Sequence, residues 1–134
     1  MSRRVLGDFS EMQEPVDTGA YRTRLEKVSE PVESQKTPGT HYVTVSGIIA
    51  DPETEENGRS LMGNLMINGK GSGMWFNFLG AFGIPEDDRQ DVDVESLLGL
   101  ECIWRVTQER SINKDTGEDY GIRSNVKGFS KIRD

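Results

Sequence analysis

The chain has 134 residues, of which 34% are hydrophobic and 29% charged, and its net charge is −7. This length suits one domain, and no apolar run is long enough to span a membrane, so we expect no membrane partner. The only cysteine, Cys102, excludes an internal disulfide, and a single histidine leaves too few ligands for a zinc motif. Together with an N-terminus that lacks a secretion signal, these features predict a cytoplasmic protein without a cofactor.

The acidic residues are concentrated in two segments with loop-like composition. Residues 51–58 hold four acids and no base, and residues 86–95 hold six acids and one base, Arg89. Outside these segments, 13 acidic residues stand against 15 basic ones. One surface can therefore be basic although the whole chain is anionic. The simpler interpretation is that the two loops only keep the protein soluble.

Residues 1–15 show no periodicity, which predicts a flexible arm ahead of a folded domain at 16–134. Within the domain, five segments alternate apolar and polar residues with the period of a β-strand. Their predicted ranges, in chain order, are 19–29, 41–50, 59–68, 99–110 and 120–132.

One helical segment separates the third predicted strand from the fourth. Trp75, Phe78, Leu79 and Phe82 recur at the spacing of one helical face. Ser72 is the predicted N-cap, and glycine and proline at 83 and 85 end the helix. Aromatic residues at this spacing belong more often to a core than to a ligand pocket, so we predict that the helix packs on the sheet.

The order of these elements predicts an all-β fold of a known kind. Three strands, one helix and two strands form the five-stranded Greek-key barrel known as the OB-fold, with its α-helix between strands 3 and 4. Such barrels often bind single-stranded nucleic acid. The order therefore favours a binding protein over an enzyme, although a fold does not by itself fix a function.

The last strand supplies the main candidate surface for nucleic acid. Arg123, Lys127, Phe129 and Lys131 have the same parity, so they project from one face unless Gly128 introduces a bulge. Cations neutralise phosphates while an aromatic ring stacks on a base, a combination that suits single strands of many sequences. The other candidates lie on the remaining strands and on the two loops that OB-folds use for binding, namely Arg22, Arg24, Lys36, Tyr42, Arg105, Arg110, Lys114 and Tyr120.

Other chemistries find little support in the sequence. The GKGSG segment at 69–73 lacks the Lys-Ser or Lys-Thr ending of a phosphate-binding loop. The carboxylates of 86–95 do not follow the spacing of a calcium-binding loop, and one histidine supports no Ser-His-Asp set. We therefore expect no catalytic and no metal site.

Several short motifs spread over residues 16–132 resemble those of a known family. They are TGAY at 18–21, YVTVSG at 42–47, GRSL at 58–61, Trp75 with FLGAFGI at 78–84, and the hairpin from Val106 through Tyr120 to VKGF at 126–129. In these motifs the chain resembles phage-encoded single-stranded-DNA-binding proteins with an OB-fold. The resemblance implies a protein that coats exposed DNA during phage replication or recombination, with replication or recombination proteins and further copies of itself as partners.

The rival hypothesis is an acidic protein-interaction module that binds a host or phage protein. The net charge of −7 favours it, because acidic loops repel DNA. A continuous basic surface would favour DNA, whereas an apolar patch with an acidic rim would favour a protein partner.

Overall fold

The structure is a computed structural model that describes residues 15–132, apart from the side chains of Ser111 and Tyr120. All but the last residue of the predicted N-terminal arm lies outside this range. One antiparallel sheet and one helix dominate the fold, which confirms the all-β class. The five predicted strands and the helix occur in the predicted order, and one short strand that was not predicted lies between the first two. The elements are β1 (Gly19–Val28), β2 (Val32–Glu33), β3 (His41–Ile49), β4 (Ser60–Met66), α1 (Gly73–Ala81), β5 (Glu101–Ile112) and β6 (Asp119–Ser130).

Strand β1 lies at the centre of the sheet. Its second half pairs with β3 and its first half with β5, and the two ladders overlap at residues 23–24. Strand β3 pairs further with β4 and with the short β2, and β5 pairs with β6.

The outermost strands, β4 and β6, approach each other across the far side of the sheet. A Cβ atom placed on Gly63 of β4 would stand 3.5 Å from the Val126 side chain of β6. Within residues 15–132 no ladder of backbone hydrogen bonds joins these two strands. The sheet is therefore strongly curled but not closed.

The inward face of the sheet and one face of α1 form the core. Leu25, Val45 and Trp104 are fully buried on three strands that are adjacent in the sheet, and Phe78 and Leu79 of the helix are buried with them. The aromatic stripe of the helix thus belongs to the core, as predicted. No helix in the part of the chain that the structure describes has both the length and the hydropathy to cross a membrane.

Gly47 marks the closest approach between strands in this core. A Cβ atom there would stand 2.7 Å from Thr23 Cγ2, 2.9 Å from the carbonyl oxygen of Arg24 and 3.0 Å from the Trp104 ring. Beside Gly47 the ladder is irregular on the opposite strand, where the register of β1 shifts between Leu25 and Lys27.

The ends of the helix agree only in part with the sequence prediction. Gly83 follows the last turn with a φ of 86°, a backbone conformation that favours glycine. Ser72 precedes the first turn, but its hydroxyl donates to the carbonyl oxygen of Gly69 at 2.9 Å and makes no capping hydrogen bond. Ser72 therefore occupies the predicted N-cap position without making the expected capping hydrogen bond, because its side chain closes the preceding turn instead.

Candidate nucleic-acid interface

Phe129 does not lie on the predicted surface. In the β5–β6 ladder Arg105 pairs with Gly128 and Val106 pairs with Val126, so Lys127 is an extra residue on β6. An extra residue moves the side chains that follow it to the other face of the strand.

The ring of Phe129 is consequently buried, with 9% of the residue exposed. It packs edge-to-face on Phe78 at 4.8 Å and on Trp104 at 5.2 Å between ring centroids. The prediction that this ring shares a face with Arg123 and Lys127, where it would stack on bases, is wrong.

Five of the predicted cations do share one surface, the outer face of β1, β5 and β6. Along β1 and β5 they alternate with buried residues, so the strand period points them away from the core. On β6, Arg123 pairs with Glu109 of this face, and the extra residue Lys127 reaches the same face through its ion pair with Glu109. We call this set the basic strip; it consists of Arg22, Arg24, Arg105, Arg123 and Lys127.

Three cations of the basic strip form ion pairs with carboxylates of neighbouring residues. Both partners of each pair are partly exposed, so each pair contributes little to stability and is screened by salt. With five cations and three carboxylates, the surface is positive but partly neutralised. The pairs are Arg22–Glu101, Arg24–Glu26 at 2.8 Å and Lys127–Glu109 at 2.6 Å.

Glu109 is held by two partners on β6. Besides the ion pair with Lys127, it accepts a hydrogen bond from Asn125 Nδ2 at 2.7 Å. These hydrogen bonds from Lys127 and Asn125 keep the pKa of Glu109 below its usual value. Glu109 therefore stays ionised and competes with any phosphate for Lys127.

Arg105 and Arg123 have no carboxylate partner within residues 15–132. The guanidinium of Arg105 lies across Gly128, where a Cβ atom would stand 2.9 Å from Nη2. Glycine at this position lets the guanidinium approach the backbone of β6 closely. Sequence reasoning identified Gly128 as a bulge signal but not as the reason for this close approach.

The other predicted cations lie outside the basic strip. Lys36, Lys114 and Lys131 are exposed on the segment before β3, on the β5–β6 turn and after β6, respectively. Arg110 has the opposite parity to Arg105, so it lies on the other face of the hairpin, where it pairs with Asp119.

The two predicted tyrosines have separate locations. Tyr42 is half-buried on the outer face of β3, opposite Met66 of β4. Tyr120 belongs to β6, and its side chain lies outside what the structure describes.

Next to the basic strip lies a surface with no charged side chain, which we call the uncharged face. It is the outer side of the β3–β4 ladder and adjoins the strip where Arg24 pairs with Ile48. Met62 is 63% exposed there, and the Thr44 hydroxyl donates to Asn64 Oδ1 at 2.7 Å. Sequence reasoning singled out only Tyr42 on this surface. The eight residues are Tyr42, Thr44, Ser46, Ile48, Ser60, Met62, Asn64 and Met66.

The acidic segment 51–58 borders one end of the basic strip. Asp51 and Glu53 line the same shallow groove as Arg22, and Glu56 pairs with Arg59 at 2.6 Å. This end of the strip is therefore less favourable for a polyanion than the end near Arg105.

Two features of the described residues concern metal binding and thiol chemistry. They contain no cluster of three or more His, Cys, Asp or Glu side chains that could hold a metal ion. Burial raises the pKa of the Cys102 thiol to about 12, which keeps it protonated and unreactive. No protein-family model and no curated protein matches the sequence.

Proposed function

We propose that this protein binds single-stranded DNA, largely without sequence preference, across the basic strip and the uncharged face. One observation carries the proposal: five cations align on adjoining strands of one sheet, next to a surface without charge. Cations neutralise phosphates, and an uncharged surface with Tyr42 and two methionines accepts the faces of unpaired bases.

We also propose that the curled sheet is an OB-type barrel, to which β2 is an addition. Three features support this: the order of strands and helix, the pairing of β1 with both β3 and β5, and the approach of β4 to β6. Strands 2 and 3 of such barrels form the ligand face. Their counterparts here are β3 and β4, which carry the uncharged face.

In the cell, the protein would coat exposed DNA strands during phage replication or recombination. This role follows from the sequence resemblance to phage single-stranded-DNA-binding proteins. It requires no catalysis, and it makes replication or recombination proteins and further copies of the chain the natural partners.

A titration of the full chain with fluorescent oligo-dT, followed by anisotropy, tests the DNA proposal. We expect binding at about 50 mM salt that weakens by about 200 mM, because each phosphate contact contributes about −0.7 to the slope of log K against log salt. Arg105→Gln and Arg123→Gln should each reduce both the affinity and the slope. Lys70→Gln, an exposed cation outside the strip, is the matched control. No binding at low salt, or binding indifferent to salt, would refute the proposal.

A protein partner is the second candidate, and one observation favours it. Met62 and Ile48 line a shallow and mostly apolar groove whose rim includes Glu26 and Lys27. If this groove binds protein rather than DNA, oligo-dT will leave the backbone amide NMR signals of Ser46 and Met62 unchanged. Under the DNA proposal, these signals shift with the same affinity that anisotropy reports.

A further inference from the structure

A second concave surface lies at the end of β1 that is remote from the β5–β6 turn. It is a cleft of about 330 Å³, enclosed by the end of β1, β3, the start of α1 and the segment 89–95. Its floor is apolar: Val43 is buried, and Val28, Ile67, Trp75 and Val92 pack half-buried against the core. This volume is within the range of ligand pockets and leaves room for one large apolar side chain. We call it the acidic cleft, because three carboxylates line it.

The segment 89–95 forms the outer wall of the cleft, and Arg89 holds the start of this segment in place. The Arg89 guanidinium lies 4.4 Å above the Phe76 ring, and its Nε donates to the carbonyl oxygen of Ile84 at 2.8 Å. A Cβ atom on Gly80 would stand 2.8 Å from Nη2, so the glycine lets the guanidinium lie against α1.

The end of the segment 89–95 is also held in place. Asp93 caps a short 3₁₀ turn by accepting a hydrogen bond from the backbone N–H of Glu95 at 3.1 Å, and Leu97 anchors that turn in the core. A cleft with both ends of its wall held in this way is pre-formed, so binding requires little ordering of the protein.

Carboxylates dominate the rim of the cleft. Glu30, Asp91 and Glu95 line it, and within residues 15–132 none of them has an ion-pair partner. Among the described residues that line the cleft, Arg89 is the only cation, and it already contacts the Phe76 ring and the carbonyl oxygen of Ile84. A rim of this charge repels nucleic acid, so the acidic cleft is a site of a different kind from the proposed DNA surface.

We propose that the acidic cleft binds a cationic peptide segment of a partner protein. An apolar side chain of the segment inserts between Trp75 and Val92, and the flanking Lys or Arg side chains pair with the three rim carboxylates. The buried anchor supplies the affinity, while the charges at the rim steer association and select the partner. This site does not depend on whether the protein binds DNA.

Two-dimensional NMR of the isotope-labelled full chain tests the proposal, with the probe peptide acetyl-Gly-Arg-Leu-Arg-Gly-amide. We expect saturable shifts of the Trp75 indole N–H and of the backbone amides of Val92 and Val94. Replacing the leucine of the peptide by serine should remove saturation, because the anchor is lost. Replacing both arginines by glutamate should abolish binding, because the rim then repels the peptide.

Variants of the protein separate this site from general attraction between opposite charges. Asp91→Asn combined with Glu95→Gln should weaken peptide binding by about threefold or more, as expected for the loss of two exposed charge pairs. Glu53→Gln combined with Glu55→Gln makes the same change of charge in the segment 51–58 and should leave binding unchanged. Equal effects of the two double variants, shifts centred on 51–58, or no shifts at millimolar peptide would overturn the proposal.

Discussion

Replacing Phe129 by alanine tests directly whether this ring belongs to the core or to the surface. The ring is buried and packs edge-to-face against two other rings, Phe78 and Trp104. Truncating a buried phenylalanine costs about 3–5 kcal/mol, and each aromatic pair is worth about 0.5–1.5 kcal/mol beyond its area. We therefore expect Phe129→Ala to lower the free energy of unfolding by about 4 kcal/mol.

The matched control is Phe76→Ala, which removes the same atoms from a ring that is 41% exposed. That ring contributes mainly its contact with the Arg89 guanidinium, so we expect a loss of about 1 kcal/mol. The entropy of unfolding is about 2.1 cal/mol/K per residue, and dividing the loss of free energy by this entropy for the whole chain gives the fall in Tm. A loss of about 4 kcal/mol corresponds to about 14 °C, and a loss of about 1 kcal/mol to about 4 °C.

Urea unfolding followed by tryptophan fluorescence, together with calorimetric Tm values, measures both variants. A milder variant, Phe129→Leu, keeps most of the buried volume and should retain oligo-dT affinity to within about twofold, because a core side chain does not contact ligand. If Phe129→Ala and Phe76→Ala destabilise equally, or if Phe129→Leu loses DNA binding while its Tm is unchanged, the assignment of Phe129 to the core is refuted.

Three further predictions concern the surface, the strand contacts and the thiol. Glu109→Gln removes a competitor for its lysine partner and should tighten oligo-dT binding in anisotropy titrations, whereas Glu55→Gln, an equal charge change outside the strip, should have a smaller effect. Gly47→Ala forces a methyl group against a backbone oxygen and should cost about 1–3 kcal/mol in urea unfolding, while Gly73→Ala, at a position with open space, should not destabilise. Because burial raises the pKa of Cys102 from 9.0 to about 12, the unfolded state loses its thiol proton first, so stability falls between these pH values. Between about pH 8 and about pH 10.5, the free energy of unfolding should fall less in Cys102→Ala than in the unsubstituted protein. Equal falls in the two proteins would contradict this prediction.

The positions of the main strands along the chain were predictable, because the alternation of apolar and polar residues is a local property of the sequence. Tyr21, Thr23 and Leu25 alternate with charged residues, and all three are buried on β1. The short β2 was missed because its two residues, Val32 and Glu33, pair only with the start of β3 and lie in a segment that reads as a loop. Too few residues are present for a period to be recognised.

The candidate site was predictable only where side chains alternate regularly between the two faces of a strand. Arg22, Arg24 and Arg105 lie on the face that alternation predicts. Beyond Val126 the prediction failed for Phe129, because the partner strand, and not the local sequence, fixes which residue becomes the extra one. A glycine in the sequence indicates that a bulge can form, but it does not show which side chains the bulge moves to the other face.

The ion pairs depend on the register between strands, which the sequence pattern does not contain. Glu109 meets Lys127 because the β5–β6 ladder brings them together across the hairpin. Likewise Arg22 meets Glu101 only through the pairing of β1 with β5. Counting charges therefore predicted a more positive surface than the folded chain presents.

The line along which β4 and β6 meet has a mechanical consequence. In the described residues every other pair of neighbouring strands is joined by a ladder, whereas β4 and β6 only lie close together, as Val126 does beside the backbone of Gly63. The two strands can separate here without the loss of a backbone hydrogen bond, so the curled sheet can open along this line more easily than at any ladder. Amide protons along the two facing edges should then exchange with solvent earlier than those of β1, and breathing of the sheet should begin there.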